Sequence, residues 1–183
     1  MIGTLSLLAE ESAPNPSTTD RDLLGPVFME FVANGASVTY SVKTTSERSI
    51  LDGPVLVSYK NGQRWVETRF KSGKLNGEWI SYHPNGKIEM RMRFKSGFQE
   101  GVEQTRSSQG GLRRTTNYVL NEKDGTETYY SNQGQVTLRI KWNKGTPLEI
   151  AQFENGKKTK TMSGGDVKKF IKDRASEQMK ENR

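Results

Sequence analysis

The 183-residue chain carries 28 Lys and Arg against 21 Asp and Glu and has no Cys, which excludes disulfides, thiolate metal sites and Cys nucleophiles. Hydrophobic residues make up only 32% of it, and the 18 Gly add little to a core; this suits a thin sheet with one buried face better than a thick globular interior. Charge is unevenly placed: residues 1–52 hold 3 Lys/Arg against 7 Asp/Glu, residues 53–148 hold 16 against 8, and residues 149–183 hold 9 against 6. A basic middle favours anionic partners (an acidic protein, a phospholipid surface or nucleic acid), although the same Lys and Arg also serve simply to keep strand faces soluble.

No apolar run approaches the ~20 residues of a membrane span. Met1 to Ala9 is short, apolar and without a basic start, and is followed by Glu10-Glu11. It is read either as the trimmed end of a secretory signal or as a strand-like terminus, so cytoplasmic and extracytoplasmic locations both stay open. Residues 1–24 form an extension whose Pro14, Pro16 and Ser17-Thr18-Thr19 mark a linker.

Residues 25–52 look like a degenerate first repeat that caps the stack, with Gly25 to Gly35 (GPVFMEFVANG) resembling Gly53 to Gly62 (GPVLVSYKNG) and expected as a strand. Residues 53–148 hold four repeats of 24 residues. Gly53, Gly77, Gly101 and Gly125 share one column; Gly62, Gly86, Gly110 and Gly134 share another; Phe70, Phe94, Tyr118 and Trp142 share a third. Asn61, Asn85, Gln109 and Gln133 precede the second column, and Gly73, Gly97, Asn121 and Gly145 form a fourth. Columns in phase over 96 residues signal a solenoid or array.

Each repeat has a strand, a turn and a second alternating strand. In the second strands one face is expected to point inward: Arg64, Val66, Thr68, Phe70; Ile88, Met90, Met92, Phe94; Leu112, Arg114, Thr116, Tyr118; Val136, Leu138, Ile140, Trp142. Arg114 stands where a hydrophobe belongs, and Glu103-Gln104-Thr105 replaces an aromatic first strand. The third repeat is therefore expected to be either the least stable segment or a partner-contact segment. Residues 149–162 form a partial terminal repeat. Residues 166–183 form an amphipathic helix with Asp166 as a cap and Val167, Phe170, Ile171, Ala175 and Met179 on one stripe. It is expected to cover one end or face of the sheet, or else to meet a membrane or partner through Lys168, Lys169 and Lys172.

The best copy, Gly77-Glu-Trp-Ile-Ser-Tyr82-His-Pro-Asn-Gly86-Lys-Ile, resembles a MORN repeat in its bacterial variant form, G-x-W-x-x-Y-x-x-N-G-K. The resemblance covers Gly53 to about Gly145 well and Gly25 to Gly156 loosely. It implies an all-β fold: an elongated antiparallel sheet of stacked β-hairpins, a MORN-type solenoid, here with a C-terminal capping α-helix. The eukaryotic form ends in H-G-x-G, which this chain lacks, so its lipid binding does not transfer. Relatives classed as antitoxin-like imply a neutralising partner role. Independently of the family, ten strands at ~4.8 Å give a platform ~48 Å long rather than a pocket.

No catalytic residue set, metal site or cofactor motif is expected. His83 is the single His, in a turn before Pro84, without a nucleophile or acidic cluster beside it. Walker and dinucleotide fingerprints are absent. The outward faces of the second strands are the expected site: Trp65, Arg69, Arg91, Arg93, Arg139 and Lys141, with Arg69, Arg93 and Lys141 in one row and Arg91 and Arg139 in another. An exposed Trp beside Arg suits a protein interface. A non-catalytic scaffold presenting this basic face to a protein partner, acidic by complementarity, is the leading reading. Peripheral binding to anionic lipid through the Arg/Lys ladder and the tail helix is the alternative. One exposed Trp is too few for a base-stacking surface, which argues against nucleic acid. Oligomerisation through the open sheet ends is compatible with either reading.

Overall fold

The 24-residue period becomes a series of antiparallel hairpins in the computed structural model, which describes Gly25, Phe28, residues 30–44 and residues 49–181. Side chains are described to residue 174, those of Val42 and Thr44 apart. The expected linker and signal-like run of residues 1–24, Ala175 and Met179 of the helix stripe, and residues 182–183 lie outside what is described. The chain divides into two compact units, Met1–Gln99 with Ser108–Gly110, and Glu100–Ser107 with Gly111–Arg183.

In the first unit β1 (Ser37–Thr44), β2 (Ser49–Ser58), β3 (Arg64–Lys71), β5 (Gly77–Tyr82) and β6 (Ile88–Lys95) pair in that order, all antiparallel. The two-residue strands β4 (Lys74–Leu75) and β7 (Phe98–Gln99) pair with β3 and β6. The second unit orders β8 (Gly101–Arg106), β9 (Leu112–Val119), β10 (Glu122–Tyr130), β11 (Val136–Asn143), β12 (Thr146–Glu154) and β13 (Lys157–Ser163) in the same way. Each ladder is open rather than closed into a barrel. Among the described residues thirteen strands replace the expected ten, and residues 149–162 lie in two full strands rather than a shortened unit.

The repeat columns acquire a pairing. Gly53 lies opposite Phe70, Gly77 opposite Phe94, Gly101 opposite Tyr118 and Gly125 opposite Trp142. An aromatic side chain thus lies across from the strand position that has none, a known way of pinning register. The fourth column closes the hairpins between repeats. Ser72-Gly73, Ser96-Gly97, Leu120-Asn121, Lys144-Gly145 and Asn155-Gly156 all have positive φ at both positions, as the two-residue turns that match strand twist require. The turns within repeats close through Tyr59 N–H to Gln63 O and His83 N–H to Lys87 O, 2.8 and 2.9 Å. His83 is half-buried there, not the fully exposed turn residue expected.

A β-bulge recurs with the same period. Val57 pairs with Val66 while Ser58 pairs with Arg64, so Trp65 is extra. Glu89, Arg113 and Thr137 are skipped in the same way 24, 48 and 72 residues on. A bulge re-aims the side chain it carries. Trp65 accordingly packs on the core rather than standing on the outer face, and Glu89 accepts a hydrogen bond from Ser81 Oγ at 3.2 Å on the Met90 side of the sheet.

The described residues of the stretch Gly25 to Gly35 do not form the expected strand. Gly25, Phe28 and residues 30–33 are helical. Phe28, Phe31 and Val32 have the three- and four-residue spacing of a helical face, and Gly35 at φ 77° terminates the turn by donating to Val32 O. Phe28 stands 5.9 Å from the rings of both Phe70 and Trp79. Beneath it runs a row set by register, Val38, Val57 and Val66, all buried, then half-buried Ser81 and Met90. The expected inward stripe of β6 (Ile88, Met90, Met92, Phe94) is half-buried throughout.

In the second unit the C-terminal helix, Gly165–Glu181, covers the corresponding face. Val167 is fully buried with Leu138, Ile140, Ile150 and Met162, and Phe170 and Ile171 pack at their edge. The capping helix is thus present. Asp166 lies within its first turn, where a carboxylate suits the positive end of the helix dipole. No helix among the described residues is long and apolar enough to cross a membrane.

Candidate interaction site

Arg69, Arg91 and Arg93 are exposed on the first unit's open face, opposite the face under Phe28. They do not form an unbroken ladder. Strand β5 lies between β3 and β6 and places Ile80 beside Arg91 and Glu78 beside Arg93. Second strands of successive repeats are therefore about 10 Å apart, two strand spacings, with an acid interleaved. The row continues as Arg91, Ile80, Glu67, Leu56 and Thr39 across five strands. Here the alternating sequence becomes a surface of mixed charge over an apolar floor.

That surface is concave. A depression of about 580 Å³ is lined by Pro54, Leu56 and Ile80 together with Glu67, Arg69 and Glu78. Glu67 is held in place by Arg64 at 2.8 Å and by the Tyr82 hydroxyl, which donates to its Oε2 at 2.8 Å. Burial, then Glu67, raises the Tyr82 pKa above its ordinary value. Gly53 is needed for the close approach of β1: a Cβ there would stand 2.9 Å from Ser41 Cβ, on a backbone already at φ 123°.

Trp65 belongs elsewhere. Its ring stacks on Tyr59 at 4.7 Å, 9° from parallel, and Phe31 meets it edge-on at 4.7 Å. It is a core-margin residue beside a 360 Å³ cleft with Asn34, Lys60, Asn61 and Pro84, not an exposed anchor among arginines.

Arg139 and Lys141 are exposed on β11 of the second unit. Arg139 sits between Thr128 and Ala151 and over the Phe153 ring at 5.2 Å; Lys141 sits between Thr126 and Glu149. Neither has a cationic cross-strand neighbour.

The sequence reading singled out Arg114 but missed its partners. A single row in the second unit, Glu103, Thr116, Glu127, Ile140, Ile150 and Met162, is buried from end to end and has acids at its first and third positions. Glu127, fully buried, accepts from Lys123 Nζ at 2.9 and 3.0 Å, Trp142 Nε1 at 2.9 Å, Tyr129 Oη at 3.2 Å and Thr116 Oγ1 at 3.3 Å. Arg114 Nη2 donates to Glu103 at 2.9 Å, and Nη1 lies 3.9 Å from Glu127. Burial disfavours the charge on Arg114, but Glu103, Tyr129 and Glu127 outweigh it and raise its pKa, so it stays charged. Burial, then Glu127, raises the Tyr129 pKa. Thr105 Oγ1 and Arg114 Nε, on directly opposed residues, are buried without a hydrogen-bond partner. The signal was available: Glu103 and Glu127 occupy the column of Val55 and Trp79. Among the described residues no group of three or more His, Cys, Asp and Glu could hold a metal ion.

Open antiparallel ladders, one hairpin per period and a helix laid on one face define a β-hairpin repeat protein. The MORN repeat variant model matches residues 75–96, from β4 through β6, so this stretch of the chain is a MORN-variant repeat. No curated protein matches it.

Proposed function

We propose that the chain is a non-catalytic repeat scaffold that presents the open face of its first unit to a protein partner. The observation that carries this reading is the 580 Å³ depression, where Pro54, Leu56 and Ile80 lie among Glu67, Arg69 and Glu78. An apolar floor with a charged rim is the composition of a protein interface, and Arg91 and Arg93 beside it are favoured contact residues. Acids interleaved with the arginines weaken a phosphate-gripping ladder, so a protein segment that offers both charges is favoured over anionic lipid. The resemblance of the repeat to MORN variants, some of which are classed as antitoxin-like, suggests a neutralising role in a bacterial cell as the biological form of this reading. Nucleic acid is disfavoured, since Trp65 stacks on Tyr59.

The test is affinity capture from host lysate and envelope fractions with the wild type and the Arg69→Glu/Arg91→Glu/Arg93→Glu variant. The expected result is one protein captured by the wild type and lost by the variant, with both melting alike. Wild-type binding to phosphatidylserine vesicles that is abolished by salt, with no protein captured, would replace this reading with the lipid one.

A further inference from the structure

The third repeat departs from the others on both faces. In the buried columns Arg114 stands where Val66, Met90 and Leu138 stand, and Glu103, like Glu127, stands where Val55 and Trp79 stand. In the exposed columns Val102 stands with Pro54, Glu78 and Thr126, Val119 replaces Lys71, Lys95 and Asn143, and Leu120 replaces Ser72, Ser96 and Lys144. The three apolar residues are 50%, 47% and 59% exposed.

They also share one place in the second unit. Val102 pairs with Asn117, and Val119 follows two residues along the same face of β9, a diagonal neighbour. Leu120 adjoins it at the tip of the turn with φ 50°. The turn imposes this left-handed conformation in every repeat, and only here is it filled by a bulky apolar side chain. The patch carries acids: Glu100 Oε1 accepts from Leu120 N–H at 3.4 Å, and Glu122 is paired with Val119.

We infer that Val102, Val119 and Leu120 form a second docking surface, for a protein segment that sets apolar side chains beside Lys or Arg. The apolar residues supply the buried contact, and Glu100 and Glu122 supply complementarity to a basic flank. This surface stands or falls independently of the depression on the first unit.

The test uses the full chain, methyl-labelled at Val and Leu. It is titrated with a 12-residue peptide alternating Leu and Lys, and with its Leu/Glu counterpart. The comparison protein is Val119→Lys/Leu120→Ser, which installs residues that other repeats carry in these columns, with Val102→Thr as a second variant should the first not fold. The expected result is methyl shifts centred on Val102, Val119 and Leu120 with the Leu/Lys peptide, roughly tenfold or greater loss of affinity in the variant, and no binding of the Leu/Glu peptide. Equal binding of both peptides, shifts elsewhere or unchanged affinity in the variant would overturn the inference. So would a wild-type dimer in sedimentation that the variant dissolves, since a second copy would then be the occupant.

Discussion

The indole Nε1 of Trp142 donates to Glu127 Oε2 at 2.9 Å, tying the aromatic column of one repeat to a carboxylate with no solvent exposure. A buried acid with this many donors is stable only while all of them converge on it. Glu127→Ala is expected to cost about 3–5 kcal/mol, because it leaves the Lys123 ammonium and the Trp142 and Tyr129 donors without their acceptor. Urea unfolding measures it; a loss within experimental error would show that water reaches the cluster.

Alkaline pH should weaken the fold. Tyr82, Tyr118 and Tyr129 all have pKa values raised above the ordinary 10.0, mainly by burial. A raised pKa means the neutral phenol is favoured in the native state, so its contribution is complete below pH 10 and lost as pH climbs through the folded value. Thermal melts across this range should show a falling midpoint, with the slope reduced in Tyr129→Phe.

The bulge at Trp65 can be tested by charge. If Trp65 faced outward, as strict alternation would have it, Trp65→Lys would be tolerated within ~0.5 kcal/mol like other surface changes. Its stacking on Tyr59 and edge contact with Phe31 instead predict a loss of roughly 2–4 kcal/mol, read from equilibrium unfolding.

Val167→Asp should free the C-terminal helix from Ile150 and Met162. Burying an unpaired carboxylate there is expected to cost at least ~2 kcal/mol, with increased dye binding to the uncovered face. Unchanged dye binding would mean that the helix is held by other contacts.

Leu120→Gly should stabilise. Removing a left-handed leucine relieves about 1 kcal/mol, and calorimetry should show a higher melting temperature.

Much of the sheet was legible because glycine and aromatic columns report register directly: each Gly–aromatic pair in the sequence is a pair across the ladder. The bulge was not, since one extra residue in every repeat leaves the period at 24 and looks like continued alternation; this is why Trp65 was placed on the wrong face. The helical segment was hidden by its likeness to GPVLVSYKNG, although the spacing of Phe28, Phe31 and Val32 already favoured a helix. The arginines were found, but Glu78, the acid set between Arg69 and Arg93, comes from the first strand β5, where a short aromatic pattern drew attention from it. The buried Glu127 network was readable only in part: Glu103 and Glu127 fall in the column of Val55 and Trp79, and Lys123 and Tyr129 are near in sequence, but Arg114, Thr116 and Trp142 join them only through strand pairing.

The bulge has a genetic consequence. Because it and the left-handed turn recur in the same columns, a 24-residue block can be duplicated or excised in frame without turning any neighbouring strand over. A change of one residue in that block would exchange its inner and outer faces. Recombination between copies can therefore lengthen or shorten the array in whole hairpins, which makes the number of repeats, rather than the sequence of any one, the quantity most easily altered by descent.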